Sequence, residues 1–252
     1  MDIPIVADCK EALSALKEEI SKRIKEEDLS EKYQSWRDKL NAWNEAHPLT
    51  YNKSNEVIKP QFVIEKLYEL TGGDAIITTE VGQNQMWAAQ HFKYLRPRTL
   101  LSSGGLGTMG YGFPAAIGAQ MAFPDKTVVD IAGDGSIQMN IQELATAVWY
   151  NLPVKIIILN NSYLGMVRQW QELFYNRNYS ATHLEYNPDF VKLAEAYGAE
   201  GFRATKPSEV EDVLKRALKS KKTCVIDMVV EKEENVYPMV PAGASLSEML
   251  LV

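Results

Sequence analysis

The amino-acid sequence predicts an α/β fold: a doubly wound, mostly parallel sheet with helices on both faces. Three short runs, Ala75–Thr79, Thr127–Ala132 and Val154–Asn160, are almost continuously apolar and rich in β-branched residues. Runs of this kind are typical of strands that are buried on both faces, as in parallel sheets. Segments with apolar residues at helical spacing separate them, and this alternation favours a sheet that is covered on both sides.

The other elements follow the same pattern from Asn55 onward. Gly72-Gly73 ends the first helix of this part, because glycine is favoured just after a helix. The predicted strands are Ala75–Thr79, Thr99–Ser102, Thr127–Ala132, Val154–Asn160, Gly201–Arg203 and Thr223–Val229. The predicted helices are Pro60–Leu70, Gln85–His91, Gly112–Ala122, Asn140–Asn151, Phe190–Tyr197 and Pro207–Ser220. Ligands of such sheets bind beyond the carboxyl ends of the strands, so the residues that follow each strand are the candidates for function.

The first 50 residues have a different pattern. The segment from Cys9 to Asp28 is dense in Lys and Glu and carries one narrow apolar stripe at helical spacing. A second amphipathic helix is expected after Ser30, which is a suitable N-cap, and it ends at His47-Pro48. Two such helices cannot form a core by themselves. Residues 1–50 are therefore predicted to be the tail of a neighbouring domain with a helical linker, and residues 51–252 the α/β domain.

Composition excludes several classes of function. The chain has 252 residues, 46% of them hydrophobic, and a formal net charge of −6, which argues against nucleic acid as a partner. No apolar run approaches the roughly 20 residues that a membrane-spanning helix needs. The N-terminus lacks the basic and apolar regions of a signal peptide. The only two cysteines, Cys9 and Cys224, are far apart, so we expect two reduced thiols in a cytoplasmic protein.

Polar residues follow two consecutive predicted strands. Gly133-Asp134-Gly135-Ser136 follows the strand that begins at Thr127, and Asn160-Asn161 ends the strand after it. A right-handed β-α-β crossover places both strand ends at the same edge of the sheet. A carboxylate, an amide oxygen and a backbone carbonyl are hard oxygen ligands that suit Mg²⁺. The flanking glycines allow backbone N–H groups to approach a diphosphate, so the pattern predicts a magnesium–diphosphate site.

A second glycine pattern lies upstream. Gly105 to Gly110 fits Gly-x-Gly-x-x-Gly, and Asp130 lies at the distance that a dinucleotide-binding fingerprint requires. However, Asp130 is inside a predicted strand rather than at its end, and the next helix begins late. The dinucleotide interpretation is therefore the weaker one.

Gly-Asp-Gly followed by Asn-Asn is the signature of thiamine diphosphate enzymes, and four longer segments resemble the acetolactate synthases within that class. These segments are Glu80–Gln90, Ser103–Gly112, Gly165–Gln171 and Val236–Gly243. The resemblance covers nearly all of residues 50–252. Residues 1–10 resemble the last strand of that family's central domain, which binds FAD.

The resemblance implies a role for each matching residue. Thiamine diphosphate would contact Val81, Gly82, Gln83, Asn84, Gly107, Met109, Asp134, Gly135, Ser136, Asn161, Tyr163, Leu164, Gly165, Met166 and Val167. Magnesium would be held by Asp134, Asn161 and the Tyr163 carbonyl. The catalytic set would be Met109, which lies beneath the cofactor, with Met166 and Trp170 on the substrate side. Judged from the residues alone, Met109 and Trp170 could also be ordinary packing. Most members of the family carry His where this chain has Asn84.

The resemblance also implies an activity and what that activity needs. Acetolactate synthases decarboxylate pyruvate and condense the product with a second 2-ketoacid, either pyruvate or 2-ketobutyrate, in branched-chain amino acid biosynthesis. They use thiamine diphosphate and Mg²⁺, and the full-length enzyme carries FAD. Their activating Glu lies on an N-terminal domain of the partner subunit, and Glu80 and Glu143 are poor substitutes for it. We therefore expect a homo-oligomer that needs this domain in cis or in trans, and no activity from the chain alone.

Three interpretations stay open at this stage. The chain is a part of an acetolactate synthase, a natural diphosphate-binding subunit of a two-chain thiamine-dependent decarboxylase, or a non-catalytic cofactor-binding module. A ferredoxin-coupled oxidoreductase subunit is disfavoured, because two isolated cysteines cannot hold an iron–sulfur cluster.

Overall fold

The computed structural model describes residues 2–26 and 29–251. They divide into two compact units, Met1–Leu49 and Thr50–Val252. In the part of the chain that is described, no helix is both long and apolar enough to cross a membrane.

The regular elements described in the first unit are helices: α1 (Cys9–Glu26), α2 (Leu29–Lys32) and α3 (Gln34–Ala46). The side chain of Asp8 accepts hydrogen bonds from the backbone N–H groups of Lys10 and Glu11, which caps α1. The expected N-cap at Ser30 is wrong, since Ser30 lies inside α2. Residues 27 and 28, at the end of the first predicted helical segment, lie outside the described residues. Residues 2–8, part of the segment that resembles a strand of the family's central domain, are not in a strand and pair with none of the described strands.

The apolar stripes of this unit are exposed. Trp36 and Trp43 are each about half exposed, with their rings in edge contact at 5.8 Å. Leu13, Leu16, Ile20 and Ile24 on α1 have 43–61% of their surface accessible. The described helices of this unit therefore form no core of their own.

The second unit contains a six-stranded sheet in which every pair of neighbours is parallel, in the order β2-β1-β3-β4-β6-β5. The strands are β1 (Ala75–Thr79), β2 (Leu100–Ser102), β3 (Thr127–Gly133), β4 (Lys155–Asn160), β5 (Glu200–Ala204) and β6 (Cys224–Val229). The helices are α4 (Pro60–Thr71), α5 (Gln83–His91), α6 (Gly112–Ala122), α7 (Leu144–Trp149), α8 (Gly165–Phe174), α9 (Phe190–Tyr197) and α10 (Pro207–Lys219). The predicted fold class is confirmed.

Helices cover the sheet on both faces because successive strand residues point to opposite sides. Ile77 and Val129 pack with α4, α5 and α10 in one buried cluster. Ile76 and Val128, their neighbours in the chain, pack with α6, α7 and α9 in the other. Each fully buried side chain of this size contributes roughly 1.5–3 kcal/mol, so both layers stabilise the sheet.

Two predicted elements differ from the structure. The helix expected over Asn140–Asn151 is wrong in its first half, where two short 3₁₀ turns, Ile137–Met139 and Ile141–Glu143, precede α7. Asn140 breaks the helix because its side-chain amide donates to the Gly110 carbonyl at 2.7 Å and its backbone is not helical. The second difference is α8, an additional helix where only the motif Gly165–Gln171 was identified from the sequence.

Candidate functional site

The sheet order creates a crevice between β1 and β3. The chain leaves β1 through α5 toward β2 on one side, and leaves β3 through α7 toward β4 on the other. Ligands of open parallel sheets bind where the direction of winding reverses in this way. The segments that follow β1, β3 and β4 therefore meet at one edge, and all three carry predicted site residues.

A cavity of about 260 Å³ lies at this edge. Its lining includes every residue that the sequence analysis placed in the site: Val81, Gly82, Gln83, Asn84, Gly107, Met109, Asp134, Gly135, Ser136, Asn161, Tyr163, Leu164, Gly165, Met166, Val167 and Trp170. Five further residues line the cavity and were not predicted to belong to the site: Gln85, Met86, Trp87, Gly133 and Leu159. The last two could have been found, because they occupy the ends of β3 and β4.

The two oxygens of the Asp134 carboxylate have different surroundings. Its carboxylate is buried, and Oδ2 accepts a hydrogen bond from Asn187 Nδ2 at 2.6 Å. Among the described residues Oδ1 has no hydrogen-bond partner. Burial raises the pKa of Asp134 to about 6, and the bond from Asn187 and, more weakly, the backbone N–H groups of Asp134 and Ser162 oppose this rise. A buried, unpaired carboxylate oxygen is costly unless a cation or donor meets it, so these residues fit a bound Mg²⁺.

The two asparagines after β4 have different surroundings. The Asn160 amide donates to Asp227 Oδ1 at 3.0 Å, which fixes it to the neighbouring strand β6. Asn161 instead lines the cavity, where its Oδ1 accepts the N–H of Tyr163 at 3.0 Å. Ser162, between Asn161 and Tyr163, has a φ of +61°, so the chain turns sharply after Asn161. This turn places Tyr163 in the cavity wall beside Asn161.

No group of three or more His, Cys, Asp or Glu side chains capable of holding a metal occurs among the described residues. The predicted ligand set does not need one, because it combines the carboxylate of Asp134, the amide of Asn161 and a backbone carbonyl. Mg²⁺ commonly binds in this way, with one or two carboxylates and with phosphate and water oxygens for the other positions.

Gly165 is required by close packing around Asn161. A Cβ atom on Gly165 would lie 2.9 Å from Asn161 Nδ2 and would collide with Gln83 Oε1. Gln83 cannot easily yield, because its Nε2 donates to Gln169 Oε1 at 2.8 Å and to the Glu234 carbonyl at 2.9 Å. The start of α8 can therefore approach the strand end only with glycine at this position.

Asn84 occupies the position where the resembling family has His. Its Nδ2 donates to the backbone carbonyls of Glu80 at 3.1 Å and of Ile131 at 2.9 Å. Both amide hydrogens are thus used within the protein. In this arrangement Asn84 holds the turn after β1 against β3 and retains no side-chain donor for a phosphate oxygen.

Glu80 holds the loop that carries Met109. It is fully buried, and its carboxylate accepts the backbone N–H of Gly110 at 2.5 Å and that of Phe113 at 3.0 Å. Burial raises the pKa of Glu80, and these backbone bonds oppose the rise. Burial, and then the neighbouring Glu80, raise the pKa of Asp130 well above its usual value. Asp130 accepts from Thr78 Oγ1 inside the sheet, so it is inaccessible to a ribose and the dinucleotide alternative fails.

A second cavity of about 600 Å³ adjoins the first and shares Met86, Met166 and Trp170 with it. Trp170 is 45% exposed, so ordinary core packing does not account for it. The other wall consists of Phe174, Tyr175, Val236, Pro238, Met239, Val240, Pro241 and Ala242. The C-terminal segment is fixed here by α8, because Gln169 Oε1 accepts the Val236 N–H at 2.8 Å.

A comparison with protein families agrees with this geometry. Residues 80–228, more than half of the chain, match the model of the thiamine pyrophosphate enzymes, C-terminal TPP binding domain. The chain belongs to this family. The matched region begins at Glu80 and includes the crevice, the strand ends and α8, so the cavity lies in the TPP-binding domain of this family.

Several curated acetolactate synthases are similar to this chain. The chain is 46% identical over 253 residues to acetolactate synthase isozyme 3 large subunit of Escherichia coli K12, which covers 99% of this chain and 44% of that protein. It is 46% identical to the large subunit of Haemophilus influenzae over 99% of the chain and 43% of the relative. Acetolactate synthase 1, chloroplastic, of Zea mays is 49% identical over 86% of the chain and 35% of its own length. The chain thus spans less than half the length of these relatives.

Proposed function

We propose that this chain binds thiamine diphosphate through Mg²⁺ at Asp134, Asn161 and the Tyr163 carbonyl, as the C-terminal part of an acetolactate synthase. The observation that carries the proposal is the buried Oδ1 of Asp134, which has no partner among the described residues and lies in a cavity at the strand ends. Identity of 45–49% to several acetolactate synthases supports the choice of activity within the family.

Each group of residues has a physical task in this proposal. Asp134 and Asn161 would hold the Mg²⁺ whose charge offsets that of the diphosphate, and the backbone of Gly135 and Ser136 would approach the diphosphate closely because glycine leaves the space. When bound, thiamine diphosphate supplies the carbon nucleophile that decarboxylates a 2-ketoacid. Met109, on a loop that Glu80 holds in place, would pack against the bound cofactor. Met166, Val167 and Trp170 exclude water on the substrate side.

The cavity provides only part of an active site. Among its described lining residues Asp134 is the sole carboxylate, and we assign it to the metal. Glu80 is bound to backbone N–H groups, and the Glu143 carboxylate accepts from Thr146 Oγ1 at 2.8 Å. A general acid for the cofactor must therefore come from another domain or polypeptide. We propose that this domain lies on a second subunit, which makes the enzyme a homo-oligomer, and that the complete enzyme also carries FAD.

We propose pyruvate and 2-ketobutyrate as substrates, in the synthesis of valine and isoleucine. The second cavity is bordered by apolar side chains and joins the first at Trp170, which suits a short aliphatic ketoacid. We place this enzyme in the cytoplasm, in agreement with two free thiols, Cys9 and Cys224.

An activity assay tests the proposal. The chain alone, supplied with thiamine diphosphate, Mg²⁺, FAD and pyruvate, is expected to form no acetolactate above background. A chimaera, in which this chain replaces the matched segment of the Escherichia coli relative, is expected to form acetolactate, because the missing domains are then present. The measurement is acetolactate formed per minute, with the unmodified relative as the reference.

Each other outcome has a distinct meaning. Turnover by the chain alone would contradict the incomplete site. A chimaera that releases CO₂ from pyruvate but forms no acetolactate would favour a subunit of a two-chain decarboxylase. Cofactor binding without any turnover in the chimaera would favour a non-catalytic binding module.

A further inference from the structure

The two oxygens of the Asp134 carboxylate have different surroundings. Oδ2 accepts the 2.6 Å hydrogen bond from Asn187 Nδ2, whereas Oδ1 has no partner among the described residues. The bond fixes the rotation of the carboxylate about its last side-chain torsion, because a buried carboxylate keeps the orientation in which its donor is satisfied. Asn187 thereby determines which oxygen is free.

Asn187 is itself held by a second contact. Its Oδ1 accepts from Gln138 Nε2 at 3.1 Å, and the same Gln138 nitrogen donates to the Asp134 backbone carbonyl at 2.8 Å. Asp134, Gln138 and Asn187 thus form a closed ring of hydrogen bonds. The ring also sets the orientation of the Asn187 amide, because the reverse orientation would place its oxygen against the carboxylate.

The segment that carries Asn187 is anchored to the sheet near the cavity. Asp189 caps α9 and pairs with Arg203 at 2.6 Å. Arg203 Nε in turn donates to Asp227 Oδ2 at 2.9 Å, and Asp227 Oδ1 accepts from Asn160. These bonds connect the segment to the carboxyl end of β4, beside Asn161. The position of Asn187 is therefore fixed relative to both strand ends.

We propose that Asn187 is a positioning residue for the metal site: it holds Asp134 so that Oδ1 faces the cation. This inference rests on the proposed function and deepens it. Asn187 does not line the cavity and lies far along the chain from the Gly133–Ser136 motif. Residues that orient a metal ligand by a hydrogen bond typically affect metal affinity by roughly 10–100-fold, so the effect is measurable.

The test measures Mg²⁺ binding by calorimetric titration at saturating thiamine diphosphate. Four proteins are compared: the wild type, Asn187→Ala, Gln138→Ala and Asn178→Ala. Asn187→Ala is expected to raise the Mg²⁺ dissociation constant by about 10–100-fold. Gln138→Ala is expected to raise it less, since Asn187 keeps its bond to Asp134 but loses its own support. Asn178→Ala, an exposed amide on the segment between α8 and α9, is the matched control and is expected to behave as the wild type.

A second readout separates positioning from a structural role. Thermal unfolding of the ligand-free proteins is expected to change by only a few degrees, and thiamine diphosphate binding without metal is expected to be equal in all four proteins. Unchanged Mg²⁺ affinity in Asn187→Ala would overturn the positioning role while leaving the proposed function intact. An equal loss of thiamine diphosphate affinity with and without Mg²⁺ would also overturn the positioning role. If the wild type showed no Mg²⁺-dependent binding, both proposals would fall.

Discussion

Gly112→Ala is expected to destabilise the protein by about 3 kcal/mol, the upper part of the range for overpacked cores. Gly112 is buried at the start of α6, against the end of β1 and the middle of β3. A Cβ atom there would lie 2.5 Å from the Thr79 carbonyl carbon and would also collide with the Glu80 backbone nitrogen and Asp130 Oδ1. Two of these three atoms belong to the backbone of the sheet, so rotation of a side chain cannot relieve the clash.

Urea denaturation followed by near-UV circular dichroism measures this effect. Gly118→Ala is the matched control, because Gly118 lies on the same helix and an added Cβ would meet no described atom within 4 Å apart from its own stretch of helix. That substitution is expected to be neutral or to stabilise by up to about 1 kcal/mol, since alanine favours the helix. A Gly112→Ala protein as stable as the wild type would show that α6 does not pack on the sheet as described.

Asp134→Ala is expected to lower the Mg²⁺-dependent affinity for thiamine diphosphate by more than about 100-fold, which exceeds the usual effect of a residue outside the ligand set. The substitution removes the only carboxylate of the proposed metal site. The ligand-free protein is expected to keep its stability, because the buried carboxyl, with its pKa raised to about 6, is itself costly. Calorimetric titration of thiamine diphosphate with and without Mg²⁺ measures the change.

Asp125→Ala is the matched control for charge. Asp125 is exposed in the turn that precedes β3, at the amino end of the strand that Asp134 follows. Its removal changes the net charge equally and is expected to leave binding unchanged. Unaltered Mg²⁺-dependent binding in Asp134→Ala would remove this residue from the metal site.

Sequence alone predicts the part of the site that depends on strand geometry. Asp134 and Asn161 follow adjacent parallel strands, and the carboxyl ends of such strands meet at one edge whatever the details of packing. The apolar runs predict the strands themselves to within one or two residues. The rest of the predicted lining, such as Met109 and Met166, follows instead from the resemblance to acetolactate synthases.

The remaining features depend on contacts that no local pattern indicates. Asn187 donates a hydrogen bond to Asp134, which lies 53 residues earlier in the chain, and no periodic pattern in the sequence indicates this contact. The burial of Glu80 depends on its bonds to the Gly110–Phe113 backbone, and the break before α7 depends on Asn140 bonding to Gly110. In each case a polar side chain satisfies a distant backbone or side-chain group, and tertiary structure overrides local preference.

The most direct test of the central claim is to locate the metal. Crystals grown with thiamine diphosphate and Mn²⁺ in place of Mg²⁺ give an anomalous signal at the cation. We expect one peak within about 2.5 Å of Asp134 Oδ1, Asn161 Oδ1 and the Tyr163 carbonyl, with diphosphate oxygens as further ligands. A peak elsewhere, or a diphosphate bound in the cavity without metal at Asp134, would contradict the proposed site.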